Sequence, residues 1–182
     1  MRLFIAVPVP EELKDNIVEI QKKLKEANAD IKPVEKENLH FTLKFLGETD
    51  KVKEIEAAME KALKSFSQFD ADIAGISAFP DKNHARVIWL CIKDGMEQMK
   101  SLMKDIDAEL SKIGFEQEKK YIPHITLTRV RSGKNKAELI RLLERLEQTQ
   151  IGRMCVKEVT LVKSVLSKAG PVYEEMYSVK LK

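Results

Sequence analysis

Tyr121-Ile-Pro-His-Ile-Thr-Leu127 is the stretch that decides the reading of this chain. Its core, His124-Ile-Thr-Leu, repeats His40-Phe-Thr-Leu from 84 residues earlier, and the chain has only three histidines. Both copies are short, apolar and partly β-branched, which predicts strands. Side chains alternate faces along a strand, so His and Thr, two apart, share one face. Phe41 with Leu43, and Ile125 with Leu127, then point to the other face, into a core. Two such strands facing one another would place two imidazoles and two hydroxyls around one cleft. That set can move protons about a phosphate. One imidazole takes a proton from water, the other gives one to the leaving oxygen, and the hydroxyls donate to phosphoryl oxygens as charge builds. Histidine suits both roles because its ordinary pKa lies near neutrality.

Outward from the motifs, one order of elements recurs. Leu3–Val7 reads as a buried strand, and Pro10 with Glu11 and Glu12 opens a helix whose inward face is Leu13, Ile17, Ile20 and Leu24. Gln21, Lys22, Lys23 and Lys25 form its expected solvated face. The first motif strand, about Leu39 to Leu46, ends at Gly47. Asp50 is the expected N-cap of a helix to about Phe66, and a strand follows from Ala71 to Phe79. Then come a strand from Arg86 to Ile92, a helix from Met96 to Ile113, the second motif strand from Ile122 to Arg131, and a helix from Lys136 to Leu146. Val156–Val165 and Val172–Leu181 are the last two expected strands, with Gly170-Pro171 between them. Phe4 precedes His40 by 36 residues, as Ile88 precedes His124. This internal repeat, about 2–80 and 86–165 with a C-terminal strand at 172–181, predicts one bilobal domain over 1–182. The fold class is α+β. It is a duplicated, pseudo-two-fold arrangement of two mainly antiparallel sheets around a central groove, with helices outside.

Composition sets the outer bounds. At 182 residues and 43% hydrophobic, the chain can bury a real core, and its 34% charged residues suit a soluble protein. A net charge of +3 admits an anionic substrate without the footprint of tight duplex binding. Cys91 and Cys155, in apolar runs with no metal-type spacing, read as buried reduced thiols. The N-terminal apolar run, broken by Pro8 and Pro10, is too short for a signal or a membrane span, so a cytoplasmic location is expected. No phosphate-binding glycine loop demands ATP, and no clustered carboxylate or Cys set suggests a metal.

Several stretches together resemble the two-histidine phosphoesterase superfamily and, within it, the RNA 2′,3′-cyclic phosphodiesterases (also called 2′–5′ RNA ligases) of bacteria and archaea. They are Arg2-Leu-Phe-Ile-Ala-Val7, Asn38-Leu-His-Phe-Thr-Leu-Lys-Phe-Leu-Gly47, Arg86-Val-Ile-Trp-Leu90, Pro123-His-Ile-Thr-Leu-Thr-Arg129, Leu161-Val-Lys-Ser-Val-Leu166 and Gly170-Pro-Val-Tyr173. The resemblance spans essentially the whole chain; one departure is Thr128, where the family often has Ala. It implies metal-free, cofactor-free hydrolysis of a 2′,3′-cyclic phosphate at an RNA end, tRNA halves among them, to a 2′-phosphate; a monomer with no obligate protein partner is expected by default. Run in reverse, the same groups would form a 2′–5′ linkage. It implies His124 as the base, His40 as the acid, and Thr42 and Thr126 as holders of the phosphoryl oxygens; the residues themselves leave the division between the histidines open.

Arg129 is a candidate phosphate contact by family position and by chemistry. Strict alternation from His124 puts Thr128 on the histidine face and Arg129 opposite, so Arg129 reaches the cleft only where the strand twists, bulges or ends. Phe4 is a candidate base-stacking wall, with a core role as its competitor, and Arg86 a candidate at the groove mouth. Trp89 is expected in the core and His84 in an exposed turn. The competing functions are a related phosphoesterase acting on another cyclic nucleotide, on an ADP-ribose cyclic phosphate or on an RNA 3′ end, and a non-catalytic RNA- or nucleotide-binding module.

Overall fold

Arg2–Pro8 forms β1, with Leu3, Ile5 and Val7 buried on one face and Phe4 and Ala6 on the other. A computed structural model describes all of residues 1–182. The chain continues as α1 (Glu11–Lys25), β2 (Ile31–Pro33), β3 (His40–Glu48), α2 (Val52–Leu63), β4 (Phe69–Phe79), β5 (Val87–Ile92) and α3 (Met96–Ser111). It ends with β6 (Ile125–Val130), α4 (Lys136–Arg145), β7 (Gln150–Val156), β8 (Glu158–Ser167) and β9 (Gly170–Lys180).

Every paired strand is antiparallel. The order is β7-β4-β5-β6-β3-β1-β8-β9, with β2 added to the free edge of β6. The two halves, β7-β4-β5-β6 and β3-β1-β8-β9, meet through a single registered pair, Phe41 opposite Ile125. Beyond it the strands part, and β2 pairs with β6 at Thr128–Val130 instead. The expected two sheets are thus joined edge to edge at the motifs. The last two strands return to the first half, beside β1.

The four helices bury one face of this sheet. A single cluster of 42 residues holds Leu13, Ile17, Ile20 and Leu24 of α1 with Phe41, Leu43, Ile125 and Leu127 of the motifs. Each such side chain contributes about 1.5–3 kcal/mol on burial, which fixes strand register strongly on that face. The opposite face carries a separate small cluster of Phe4, Ala6 and Val162 under Tyr173.

Several boundaries differ from expectation. The second motif strand starts at Ile125, not Ile122, so His124 stands at its mouth. Lys51, not Asp50, precedes α2, and Asp50 lies 3.4 Å from the N-terminal ammonium. The expected strand at 156–165 is β8, Glu158–Ser167, and the strand before it, β7, was not expected. Cys91 and Cys155 are free and half-buried rather than buried. No helix is long and apolar enough to cross a membrane.

Candidate active site

The antiparallel pair Phe41–Ile125 sets the site. Continuing that register puts His40 beside Thr126 and Thr42 beside His124. Phe41 and Ile125 are fully buried on the helix side, so all four motif side chains project from the other face. His40, Thr42, His124 and Thr126 are each half-buried there.

The two histidines are held alike. Nδ1 of His40 lies 2.6 Å from the Asn38 carbonyl, and Nδ1 of His124 lies 2.7 Å from that of Ile122. A carbonyl only accepts, so each Nδ1 carries the proton and donates it. That leaves both Nε2 atoms to the cleft. Thr42 donates its hydroxyl to Nε2 of His40 at 2.8 Å. Each ring also has aromatic neighbours. His40 stacks on Phe4 (centroids 4.9 Å, 28° between planes) and meets the edge of Tyr173 at 5.4 Å. His124 meets Phe79 at 5.2 Å and Trp89 at 5.5 Å. Burial lowers both pKa values. His40 falls to about 4, with the charges of Lys14 and His124 adding to the effect of burial, and His124 falls less. Both rings are therefore neutral at pH 7 before an anion enters the cleft.

A β-bulge lies just after each motif. On β6, Ile88 faces Thr128 but Trp89 faces Thr126, so Leu127 is the extra residue. On β3, Ile5 faces Lys44 but Ala6 faces Thr42, so Leu43 is extra. An inserted residue inverts the alternation that follows it. Thr128 and Lys44 consequently turn toward the helices, where both are buried, while Arg129 and Phe45 turn to the histidine face. The charge of Arg129 is felt at the Tyr173 hydroxyl. There it and Arg2 partly offset the upward push of burial on the tyrosine pKa. The condition under which Arg129 reaches the cleft is thus met by a bulge. Gln21, read as part of a solvated helix face, is buried instead and donates from Nε2 to the Leu127 carbonyl at 2.8 Å and the Val34 carbonyl at 2.9 Å. It ties α1 to the bulge that aims Arg129.

The remaining candidates fall as follows. Phe4 is 4% exposed and lies behind His40, so it walls the site more than it offers a free ring. Arg86, at the head of β5, lines a different cavity at the far end of β6. Trp89 is buried outside the main core, against Phe79 and His124. His84 is exposed in its turn, paired with Asp81. Sequence reasoning passed over Phe45, which is 70% exposed with its ring 6.2 Å from Phe4, and Phe79. It gave Tyr173 no role. Asn38 reaches back to the Pro171 carbonyl at 2.9 Å and so pins the β8–β9 turn that carries Tyr173. The one sequence signal for Phe45 was its offset, since 84 residues later stands Arg129. No three His, Cys, Asp or Glu side chains converge as a metal-ligand set.

A duplicated antiparallel sheet with one His-Thr pair per half defines a class, and the comparisons agree with it. The pattern of the family described as "LigT like Phosphoesterase" matches twice, over residues 7–89 and 92–173. The chain belongs to this family, within the two-histidine phosphoesterase superfamily. Among its relatives is a protein of Methanothermobacter thermautotrophicus named RNA 2′,3′-cyclic phosphodiesterase, 39% identical over 97% of this chain and 96% of that one. One of the same name from Methanocaldococcus jannaschii is 39% identical over 96% of this chain and 97% of its own. A crystal structure from Thermus thermophilus superposes with a TM-score of 0.83 at 29% identity, covering 100% of this chain and 98% of that one. Escherichia coli LigT complexed with 3′-AMP shares the fold, with a TM-score of 0.77 at 24% identity over 99% of this chain and 97% of its own.

Proposed function

We infer that this protein hydrolyses the 2′,3′-cyclic phosphate at an RNA end to a 2′-phosphate, using His40 and His124 as its acid–base pair. The observation that carries the reading is the matched pair of imidazoles on one face of one strand joint, each with Nδ1–H committed to a carbonyl and Nε2 turned to the cleft. The names borne by the relatives supply the substrate class.

The reaction balances with these groups alone. His124 Nε2 takes a proton from water, whose oxygen bonds to phosphorus. The bond from phosphorus to the 3′-oxygen breaks, and that oxygen takes the proton from His40 Nε2. Thr42 and Thr126 hold the phosphoryl oxygens, and Arg129 adds charge on the same face. His40 must be charged to act, yet burial holds its pKa near 4. The phosphodiester anion restores it, because an opposite charge beside an imidazole favours the protonated form. The stacked face of Phe4 favours the imidazolium too.

The test is an EDTA-treated assay on cyclic mononucleotides and on a short RNA ending in a cyclic phosphate, with the product isomer identified. The expected product is the 2′-phosphate from both. A 3′-phosphate product, or loss of activity on chelation, would overturn the reading.

Phe45 supplies the free ring of the site face, on which the terminal base stacks. Phe45→Ala is expected to weaken binding by about 1–3 kcal/mol, roughly 5- to 150-fold in KM, with kcat little changed. An unaltered KM for both substrates would remove Phe45 from the site.

A further inference from the structure

Outside the histidine cleft, a cavity of about 440 Å³ opens at the far end of β5 and β6, between the turn before β5, the exit of β6 and the first turn of α4. Its charged lining is Lys82, Arg86, Arg131 and Lys136, with His84 beside them and no carboxylate among the lining residues. Lys82 is paired with Glu147 and His84 with Asp81. Arg86, Arg131 and Lys136 are exposed and enter none of the molecule's ion pairs or side-chain hydrogen bonds. Cations gathered around one concave surface repel one another, and their summed field attracts an anion.

The internal repeat provides a control. The positions 84 residues before Arg131, Ser132, Lys134 and Lys136 are Gly47, Glu48, Asp50 and Val52. At that end of the first half, Glu48 and Asp50 hold the N-terminal ammonium. Arg86 does have a basic counterpart, Arg2, so what belongs to the second half alone is the basic run Arg131, Lys134 and Lys136. This one-sidedness matches the chemistry of the ligand. A 2′,3′-cyclic phosphate ends a strand, so the polymer leaves the cleft in a single direction.

Strand β6 joins the two places. It starts beside His124, carries Arg129 on the histidine face, and ends at Val130, which with the following Arg131 lines the cavity. Thr126 to Arg131 spans roughly 17 Å at about 3.3 Å per residue, a length that a few nucleotides of single strand cover.

We propose that this cavity binds a backbone phosphate of the RNA strand, a few nucleotides 5′ of the cyclic end, and makes the protein favour RNA over cyclic mononucleotides. The proposal rests on the cyclic-phosphate reading above. Neither Arg131 nor Lys136 touches the histidine cleft, so the variant Arg131→Ala/Lys136→Ala separates the two sites.

Wild type and variant are compared on a cyclic mononucleotide and on a single-stranded RNA long enough to reach the cavity. For the RNA, KM rises about tenfold or more with kcat unchanged, as expected when charge-assisted hydrogen bonds to phosphate are removed. Turnover of the mononucleotide stays the same. The slope of log affinity against log salt shrinks by about 0.7 for each phosphate of the single strand that the variant no longer neutralises. Equal RNA KM and equal salt slope in the two proteins would overturn the proposal. Binding of the same RNA ending in a 2′-phosphate, read by fluorescence anisotropy, keeps the two claims apart. If the wild type turns over neither substrate, the cyclic-phosphate reading fails, and the anisotropy difference between the proteins still decides the cavity. Inorganic phosphate that binds the wild type and not the variant, with no dependence of affinity on RNA length, would identify a free-phosphate site and also overturn it.

Discussion

His40→Ala and His124→Ala each lower kcat/KM on a cyclic phosphate by about 10²–10⁴-fold, the range that one positioned acid or base contributes. The double variant loses little more than the worse single one, because the two rings act within one proton transfer sequence. Thermal unfolding separates this from damage to the fold, since both rings project from the face opposite the 42-residue core. The pH profile gives a second readout. Burial pulls both imidazoles below their ordinary value of 6.5, His40 to about 4. The active free protein carries one proton on the pair, so the kcat/KM bell is bounded by these two lowered values and peaks below pH 6.5. In the complex the phosphate anion raises both pKa values, so the kcat bell lies to the alkaline side of the kcat/KM bell. Either single variant keeping near-wild-type turnover, or a kcat/KM optimum at about pH 8, would sink the two-histidine account.

The motif strands and all four helices were legible because their apolar spacing is regular. The expected helix at 96–113 is found at Met96–Ser111, and that at 136–146 at Lys136–Arg145. What could not be read lies where regular spacing fails. In β7 the buried residues Ile151 and Met154 are three apart, a helical rather than a strand interval, because the pairing with β4 is irregular near Gly152. Strand β2 is three residues long and contains Pro33, too little pattern for any template. The bulges at Leu43 and Leu127 matter most for the site. Each shifts the pleat by one residue, and nothing in the local sequence marks them. Alternation alone therefore put Thr128 on the histidine face and Arg129 behind it, the reverse of what the structure has. Trp89 is buried, as expected, but lies outside the 42-residue core: its partner across the strands is Thr126, so it shares the histidine face. The His-Thr pairs escaped this error because they precede the bulges.

Lys44→Met is expected to cost about 3–5 kcal/mol of stability, the usual result of removing one partner from a buried ion pair. The bulge at Leu43 turns Lys44 into the interior, where it is 5% exposed and its Nζ lies 2.7 Å from Oδ1 of Asp107, itself 1% exposed. The other oxygen of Asp107 accepts from the Glu118 amide at 2.7 Å and the Tyr121 hydroxyl at 2.8 Å. Burial pushes the Asp107 pKa up, but Lys44, that amide and that hydroxyl together hold it below the usual carboxylate value. A depressed carboxylate stabilises the wild type above its unfolded pKa of about 3.8, and that stabilisation is lost as pH falls. In Lys44→Met the unpaired, buried carboxylate is pushed upward instead, so acid protonates it and recovers stability where the wild type loses it. Chemical denaturation across pH reads this reversal of slope. Lys44→Met/Asp107→Leu removes both charges and regains part of the loss, the rest being the Glu118 amide and Tyr121 hydroxyl left without their acceptor. A single variant no less stable than the double would show that the pair does not matter. The consequence reaches the site because residues 116–121 have no helix or strand to hold them. Asp107 anchors that segment through Glu118 and Tyr121, and the next carbonyl, that of Ile122, fixes the His124 ring. Well below its melting temperature, Lys44→Met should therefore still lose kcat, whereas a purely global loss of stability would leave turnover of the folded fraction unchanged.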